Sequence, residues 1–307
     1  MKKLILIIQI FITSAVFAQQ EPMFTHYMFN TLTTNPGFAG NRNALVVNAL
    51  HRSQWLGFDG APRTQTLTVH SPLKNKHFGV GFALVNEKIG VIKSTNIAGS
   101  FSYEMLITRT MKIAYGINIG FNKIDADLRS VKTTNVGDPA FATNITTRLM
   151  PNLGFGAYFS TEKYYMGLSI PKFFENDFNS YTLDINNKLT GEQKNIYYIV
   201  GTILPLYSEK FKFKPSAQLQ FSGGTMPKID ITGLIQYDNK FWWGLMLRTA
   251  DSFGVLLGMN INHQIACGYS FDFSYLNTTV KYNGGSHEIM FQYLFSWEKE
   301  LKCPAYH

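Results

Sequence analysis

The residues that could carry out chemistry in this chain are few and lie far apart. Its seven histidines stand at positions 26, 51, 70, 77, 263, 287 and 307, and none has the spacing of an HExxH metal site. No Walker loop, nucleophile elbow or complete GxGxxG motif occurs. We therefore predict no catalytic residue, no cofactor and no metal ligand, and we expect the protein not to be an enzyme. A hydrolase with a Ser–His pair stays an open alternative, although no residue resembles an activated nucleophile.

Two other candidates have structural interpretations. His287 and Glu288 open the last predicted strand, where we expect a hydrogen bond at the mouth of a barrel and not general acid–base catalysis. Gly79-Val80-Gly81 and Gly154-Phe155-Gly156 each place two glycines on one face of a strand. These glycines predict small residues facing an interior and do not predict a loop that cradles phosphate.

The elements that would position any site show a two-residue period. From about residue 43 to residue 297, large apolar residues alternate with small or polar ones, as in 113–121 and 265–273. This pattern is typical of strands with one face toward lipid and the other toward a lumen. The candidate strands are 43–52, 63–71, 77–87, 94–106, 111–123, 150–160, 164–170, 195–205, 211–222, 228–238, 240–249, 253–262, 264–273 and 286–297.

These runs predict an all-β fold, a single transmembrane antiparallel β-barrel of about 14 strands. Most runs have about the ten residues that a tilted strand needs to cross hydrocarbon. Loops after odd-numbered strands are mostly longer, with the longest at 124–149 and 171–194, whereas loops after even-numbered strands are short. Because outer-membrane barrels have short periplasmic turns and longer outer loops, we expect both chain ends in the periplasm.

Two strands fit the pattern less well. Pro215 lies inside the ninth strand, where it predicts a bulge or a later start. The first strand does not separate its faces, because apolar residues occur on both of them.

The first residues indicate export. Lys2 and Lys3 precede the apolar stretch 4–17, and Val16-Phe17-Ala18 supplies small residues at the positions that a signal peptidase inspects. We therefore predict a cleaved signal peptide at 1–18. An N-terminal segment at 19–42 that could plug the lumen, a transmembrane barrel at 43–297 and a periplasmic tail at 298–307 would follow.

Composition supports a membrane barrel and limits the partners. Aromatic residues make up 15% and charged residues 16% of the chain, and no segment after the signal has the 18 apolar residues of a membrane helix. The formal charge of +8 is scattered, with no run of lysine or arginine longer than two. We therefore expect no nucleic-acid partner. We also expect no structural disulfide between Cys267 and Cys303.

Several segments together resemble a known family. Near the start these are Phe24-Thr25-His26-Tyr27-Met28-Phe29-Asn30, Asn35-Pro36-Gly37-Phe38-Ala39-Gly40, Arg52-Ser53-Gln54-Trp55, Gly60-Ala61-Pro62-Arg63-Thr64-Gln65 and Ser71-Pro72-Leu73. Near the end they are Tyr282-Asn283-Gly284-Gly285-Ser286-His287-Glu288-Ile289 and Lys302-Cys303-Pro304-Ala305-Tyr306. They resemble the PorP/SprF family, the type IX secretion membrane proteins of Bacteroidetes, over the whole mature chain.

The resemblance implies an outer-membrane protein needed for export or surface display of a secreted cargo, often a large adhesin, through the cargo's C-terminal domain. Other implied partners are type IX secretion subunits, periplasmic peptidoglycan-associated proteins and membrane lipid or lipopolysaccharide. Two alternatives stay open. One is a core-apparatus subunit tied to the peptidoglycan-associated partners, and the other is a porin-like or hydrophobic-solute transporter.

Candidate partner-binding residues are aromatic or arginine side chains, because these types dominate protein–protein hot spots. Trp55, Phe58 and Arg63 lie in or beside the first outer loop. Phe24, Tyr27 and Phe29 lie in the segment before the first strand. A purely structural role in a tight loop or a lumen plug is the alternative for both groups.

Overall fold

The fold is a closed antiparallel barrel. The computed structural model describes residues 21–131, 141–181, 191–206, 208, 210–223, 226–275 and 284–295. Fourteen strands form the ring: β1 Leu45–Ser53, β2 Arg63–Pro72, β3 Phe78–Ile89, β4 Ile92–Leu106, β5 Lys112–Ala126, β6 Met150–Ser160, β7 Tyr164–Ile170, β8 Asn195–Thr202, β9 Phe211–Ser222, β10 Lys228–Tyr237, β11 Phe241–Arg248, β12 Ser252–Asn260, β13 Ile265–Ser274 and β14 Ser286–Phe295. Each strand pairs with the next along the chain. Finally β14 pairs with β1, with Leu45 opposite Phe295, so the predicted fourteen-strand barrel is confirmed.

Other regular structure in the described part of the chain is short. Two-residue strands at Ile145–Thr146 and Leu204–Pro205 extend the sheet beside β5 and β9. One helix covers Phe178–Tyr181, and 3₁₀ turns cover Thr31–Thr33, Pro36–Phe38 and Leu128–Ser130. No helix among the described residues is long and apolar enough to cross a bilayer.

The two faces of the barrel wall differ as the alternation predicted. In β5, Tyr115 and Ile117 are exposed on the outside, whereas Gly116 between them is buried inside. In β12, Leu257 is exposed and its neighbour Leu256 is fully buried. Because a closed barrel satisfies its backbone hydrogen bonds between strands, this apolar outer surface can lie in hydrocarbon.

The loops sort by barrel end, also as predicted. We call the end with the turns 73–77, 107–111, 161–163, 203–210, 238–240 and 261–264 the short-turn end. The opposite end, with 54–62, 127–149, 171–194 and 275–285 among its loops, is the long-loop end. The loop between β3 and β4 was predicted to span residues 88–93. In the structure the two strands extend further, and only Gly90 and Val91 connect them. Asp238 and Asn239 show how a short turn is made, since both have positive φ, which these residue types tolerate.

Pro215 produces neither of the predicted irregularities, so that prediction is wrong. The β9 strand pairs with β10 in one register throughout, with Pro215 opposite Gly233. On its other side, β9 pairs with β8 from Ser216 onward, and Leu204–Pro205 continues the same register beyond a gap. Proline has no N–H to donate, so the ladder is interrupted at this position without an inserted residue.

The segment before β1 crosses the interior of the barrel, and we call residues 21–42 the lumen segment. Its backbone carbonyls accept hydrogen bonds from side chains of β1 and β7, and its side chains bond to β9 and β13. Most of its residues are buried. Its apolar residues and those of the wall form one hydrophobic core inside the barrel, made of Tyr27, Met28, Leu32, Phe38, Ala39, Tyr158, Tyr165, Ile199, Leu234, Trp242, Met246, Leu256 and Met290. A packed lumen also explains why β1 has apolar inward residues such as Leu50.

The direction of the lumen segment bears on one prediction. Both chain ends were predicted at the short-turn end, where β1 begins and β14 ends, and this stays a prediction because the ends lie outside the described residues. The first described residue, Glu21, lies at the long-loop end, where it contacts Lys172 just after β7, because the segment crosses the lumen before β1. The predicted signal peptide at 1–18 and tail at 298–307, with Cys303, lie outside the described residues.

Candidate functional site: the packed lumen and its mouth

Buried charged residues of the barrel wall bind the lumen segment at residues 24–26, toward the long-loop end. Glu288 accepts hydrogen bonds from the backbone nitrogens of Thr25 at 2.9 Å and His26 at 2.7 Å, and it lies 2.7 Å from Nδ1 of His26. The Thr25 hydroxyl donates to Asp272 at 2.6 Å. Arg52 connects both acids, at 2.6 Å to Asp272 and 3.2 Å to Glu288. Residues 25 and 26 are therefore part of a buried ion cluster formed by β1, β13 and β14.

A second buried arginine extends this cluster around the ring. Arg248 donates through two nitrogens to Asp230, at 2.8 and 2.9 Å, and to the carbonyl oxygen of Phe24 at 3.3 Å. The Arg248 side chain is fully buried. Removing one partner from such a pair leaves an uncompensated charge and costs about 3–5 kcal/mol. The main chain at residues 24–26 is thus bound to β11 as well as to β14.

Aromatic packing holds the middle of the lumen segment. The Phe29 ring stacks on Trp242 with centroids 5.2 Å apart, and His26 meets the same indole edge-on at 5.6 Å. Two wall glycines make room for this indole, because a Cβ would lie 1.9 Å from it at Gly258 and 2.6 Å at Gly268. The hydroxyls of Tyr27 and Ser216 are hydrogen-bonded at 2.8 Å.

Glycines of the barrel wall are in close contact with Asn35–Ala39, the part of the lumen segment nearest the short-turn end. A Cβ at Gly79 would lie 2.2 Å from the Ala39 carbonyl oxygen. At Gly116 it would lie 2.3 Å from the Gly37 nitrogen, and at Gly156 it would lie 2.2 Å from Asn35 Oδ1. The small inward residues predicted from the sequence therefore serve close contact with the chain's own backbone. The Asn35 side chain also caps the Pro36–Phe38 turn by accepting from the Gly37 nitrogen.

A cavity of about 290 Å³ remains between the lumen segment and strands β3–β6, toward the long-loop end. Its floor includes Ala83, Ala98 and Gly120, and asparagines of β4, β5 and β6 surround the floor. Its charged lining residues are Glu21, Glu87, Lys172 and Glu192.

The rim of the cavity is an ordered polar network at the ends of the 171–194 loop. Lys172 Nζ lies 2.8 Å from Glu21 and 3.3 Å from Glu192. Burial opposes the charge on Lys172, but the two glutamates outweigh it and hold its pKa above the ordinary value. Burial likewise opposes the charge on Glu192, but Lys172 and the amides of Asn176 and Asn122 lower its pKa.

The structure separates the predicted partner-binding residues into two groups. Phe24, Tyr27 and Phe29 pack inside the barrel, with Phe24 and Tyr27 buried and Phe29 partly buried, so their observed contacts are internal. Trp55 is half-buried and has a positive φ, and its backbone nitrogen donates a hydrogen bond to the Ser286 hydroxyl at 3.2 Å. Phe58 is 45% exposed at the long-loop end.

Arg63 lies on the wall of the barrel. It begins β2 on the outer face, directly opposite Lys88 of β3, which is opposite Lys93 of β4. The three cations form a row across neighbouring strands on the outside, at the long-loop end.

The sequence pattern missed the buried ion cluster. Arg52, Asp230, Arg248, Asp272 and Glu288 all occupy inward positions of predicted strands, where a lone charge would be costly. The signal in the sequence was the presence of charged residues at inward positions of several strands. Which of these charges pair with each other becomes clear only when the strands close into a ring. His287, by contrast, faces outward and is hydrogen-bonded to the Tyr269 hydroxyl at 2.7 Å. Within the described residues, no group of three His, Cys, Asp or Glu could hold a metal.

Comparison with known sequences identifies a family. The model of the family described as "Type IX secretion system membrane protein PorP/SprF" matches residues 16–293. No curated protein matches the sequence.

Solved structures resemble this chain in fold alone. The CymD monoaromatic hydrocarbon channel is 9% identical, with a TM-score of 0.51, over 86% of this chain and 91% of that chain. A FadL homologue of Pseudomonas aeruginosa is 11% identical, with a TM-score of 0.44, over 83% and 90% of the two chains. Omp33 of Acinetobacter baumannii is 9% identical, with a TM-score of 0.45, over 83% and 100%.

Proposed function

The chain belongs to the PorP/SprF family of type IX secretion system membrane proteins, and from this premise we propose that it binds a secreted cargo at the cell surface. It would be a non-catalytic outer-membrane component that engages the C-terminal domain of the cargo. The observation that carries this proposal is the packed lumen. The chain's own lumen segment occupies the interior of the barrel and is bound there by buried charged residues. Such a barrel is suited to binding a protein domain at its surface and not to letting one pass through the lumen.

An apolar rim at the long-loop end supports the proposed place of contact. Leu56 and Phe58 in loop 54–62 are 50% and 45% exposed, and Ile89 and Ile92 beside the β3–β4 turn are 44% and 38% exposed. The two loops are connected, because the Gly90 nitrogen donates to the Gly60 carbonyl at 2.8 Å. Exposed apolar side chains on a loop with fixed hydrogen bonds are typical of a preformed protein-binding surface.

The same proposal assigns roles to the chain ends. Residues 1–18 would be removed as a signal peptide, and the lumen segment would remain as a resident plug. The tail at 298–307 would lie in the periplasm, where it could meet other secretion subunits or peptidoglycan-associated proteins. Since Glu21 lies at the long-loop end, the processed N-terminus would lie on the outer side and the C-terminus on the periplasmic side.

A binding measurement with matched phenylalanine variants tests the proposal. The purified barrel in detergent is titrated with the isolated C-terminal domain of a type IX cargo from the same organism. Phe58→Ala should weaken binding by about 1–4 kcal/mol if Phe58 is a hot spot. Phe101→Ala is the control, because Phe101 is similarly exposed at 43% but lies on the lipid-facing side of β4. Equal affinities of wild type and both variants would exclude Phe58 from the contact.

A hydrophobic-solute transporter is the second candidate, and the cavity beside β3–β6 is the observation that favours it. A transporter needs a path past the lumen segment, so loosening this segment should raise solute uptake. If a Glu288→Gln barrel, present at the normal level, took up fatty acids faster than wild type while cargo display was unchanged, transport would be the better account.

A further inference from the structure

The inner wall of β3–β6 is a trough of small side chains. Its directly paired inward residues form four levels from the short-turn end upward: Gly79, Ser102, Gly116 and Gly156; Gly81, Ser100, Asn118 and Gly154; Ala83, Ala98, Gly120 and Asn152; and Val85, Asn96, Asn122 and Met150. No side chain on the first two levels is larger than asparagine. A trough of this kind admits a polypeptide backbone close to the sheet.

The lowest level of the trough is already occupied by polypeptide. Asn35–Ala39 crosses it from β6 to β3, with the backbone or the Asn35 side chain at contact distance from the glycines. The second level is partly covered, since Leu32 lies over Gly81 and the Pro171 carbonyl over Gly154. The lumen segment thus shows that a stretch of polypeptide backbone fits into the trough.

The third level is open and forms the floor of the cavity. The three atoms nearest to a Cβ added at Gly120 all belong to the neighbouring strand β4, at 3.2 Å for the Ile97 carbonyl oxygen, 3.4 Å for the Ala98 Cβ and 3.7 Å for the Ala98 Cα. No atom of the lumen segment is closer to this position than those of β4. The trough therefore continues past the segment that fills its lower end, toward the long-loop mouth.

Two asparagines around this floor, Asn96 and Asn118, offer partners for a peptide backbone. Asn96 lies opposite Asn122 across β4 and β5, and Asn118 is next to Gly120 on the inner face of β5. The amides of Asn122 and Asn152 already donate to Glu192. Asn118 is only 7% exposed, and its Oδ1 has no hydrogen-bond partner among the described residues. Asparagine side chains carry the same donor and acceptor groups as a peptide bond, and a buried acceptor without a partner is costly.

We propose that this cavity binds an extended polypeptide segment of the secreted partner, which enters from the long-loop mouth and lies on Ala83, Ala98 and Gly120 as Asn35–Ala39 lies on the glycines below. The proposal rests on the proposed function and adds the place and form of the contact. Crossing β3 to β6 at about 4.8 Å per strand requires roughly four or five residues. Small side chains fit the floor. Three glutamates and one lysine in the charged lining favour a segment that carries a lysine or arginine.

Peptide probes with matched variants test this inference on the full-length barrel in detergent. The first probe is a fluorescent pentapeptide, Gly-Ser-Lys-Ala-Gly, the second replaces its lysine by glutamate, and maltohexaose serves as an uncharged saccharide probe. Ala98→Leu fills the floor of the cavity. Gly99→Leu is the control, because the neighbouring Gly99 faces outward and a Cβ there has nothing within 4 Å. Asn118→Ala removes the unpaired Oδ1 without adding bulk, so it remains informative if Ala98→Leu does not fold.

We expect the lysine peptide to bind wild type and Gly99→Leu equally, Ala98→Leu at least tenfold more weakly and Asn118→Ala about threefold to tenfold more weakly. The glutamate peptide should bind wild type at least threefold more weakly than the lysine peptide. Equal binding by wild type and both cavity variants would overturn the inference. Binding of maltohexaose that Ala98→Leu abolishes, without binding of the peptide, would also overturn it and make the cavity a saccharide site.

Cargo display in cells distinguishes failure of this inference from failure of the proposed function. If deleting the gene removes cargo from the surface while Ala98→Leu, at normal barrel abundance, displays it normally, the cavity assignment is wrong and the proposed function stands. If deletion itself leaves display unchanged, the proposed function is wrong. Loss of display in Ala98→Leu but not in Gly99→Leu supports both.

Discussion

Glu288 and His26 lie 262 residues apart in the chain, and Glu288 Oε1 is 2.7 Å both from the His26 backbone nitrogen and from its Nδ1. This contact joins the last strand of the barrel to the first turn of the lumen segment. Because β14 also closes the ring against β1, the placement of the segment and the closure of the barrel depend on the same strand. The packed lumen is therefore part of the folded barrel.

Removing the Glu288 carboxylate should destabilise the barrel strongly. Glu288→Ala leaves Arg52 with one buried acid fewer and leaves the backbone nitrogens of residues 25 and 26 without acceptors, which should cost about 3–5 kcal/mol. Unfolding in urea, followed by tryptophan fluorescence, measures the loss. His287→Ala is the control, because His287 faces outward with one side-chain hydrogen bond, and about 0.5–1.5 kcal/mol is expected. Equal losses of unfolding free energy in Glu288→Ala and His287→Ala would show that the ion cluster does not anchor the lumen segment.

The glycine contacts under Asn35–Ala39 can be tested with a single methyl group. Gly116→Ala would place its Cβ 2.3 Å from the Gly37 nitrogen, so the lumen segment must shift. We expect a loss of about 1–3 kcal/mol in the free energy of unfolding, as for overpacking of a core. Gly99→Ala adds the same methyl group where nothing lies within 4 Å and should change stability little. A Gly116→Ala barrel as stable as the Gly99→Ala barrel would mean that the segment does not lie against this wall.

The outer face of β12 should be intolerant of charge. Leu257→Arg places a cation on the lipid-facing side and should cost about 2–4 kcal/mol near the bilayer midplane. Met226→Arg, at an 80% exposed position in the loop 223–227, should be tolerated. The folded fraction of each variant in outer membranes can be measured by heat-dependent migration in gels. If both arginines were equally tolerated, β12 would not face lipid.

Labelling of single cysteines should show which barrel end faces outward. In a background with Cys267 and Cys303 replaced by serine, Met226→Cys reports the long-loop end and Glu162→Cys the short-turn end. An impermeant maleimide should label position 226 on intact cells and position 162 only after the outer membrane is opened. Labelling of position 162 on intact cells would invert the topology.

The contacts at the base of the 171–194 loop should weaken in acid. The pKa of Glu192 is lowered in the folded protein, so its contribution to stability is present above the ordinary glutamate pKa. This contribution is lost as the pH falls through the lowered value. The protection factors against hydrogen exchange at the amides of residues 191–195, corrected for the intrinsic pH dependence of exchange, should therefore fall below about pH 4.5 in wild type. Glu192→Gln should have lower protection factors at neutral pH and show little further change in acid. A Glu192→Gln barrel with the same pH dependence as wild type would assign the effect to another group.

The sequence predicted the wall of the barrel better than its contents. Alternation along strands such as β5 sets which face meets lipid, and this pattern is local, so strand positions and the outward residues could be predicted. The direction of the lumen segment could not be predicted, because its hydrogen bonds join Thr25 to residues 247 and 263 positions away. The effect of Pro215 was predicted wrongly, because the hydrogen-bond ladder between the strands tolerates one missing N–H donor without a shift of register.

Surface display of cargo in a clean deletion strain is the most direct test of the proposed role in type IX secretion. Cells lacking this gene are labelled with antibody to a type IX cargo, and uptake of fatty acids is followed in parallel. If the barrel serves cargo display, the cargo should disappear from the surface while uptake is unchanged, and wild-type protein supplied in trans should restore display. Normal display of every type IX cargo together with altered uptake would contradict this role.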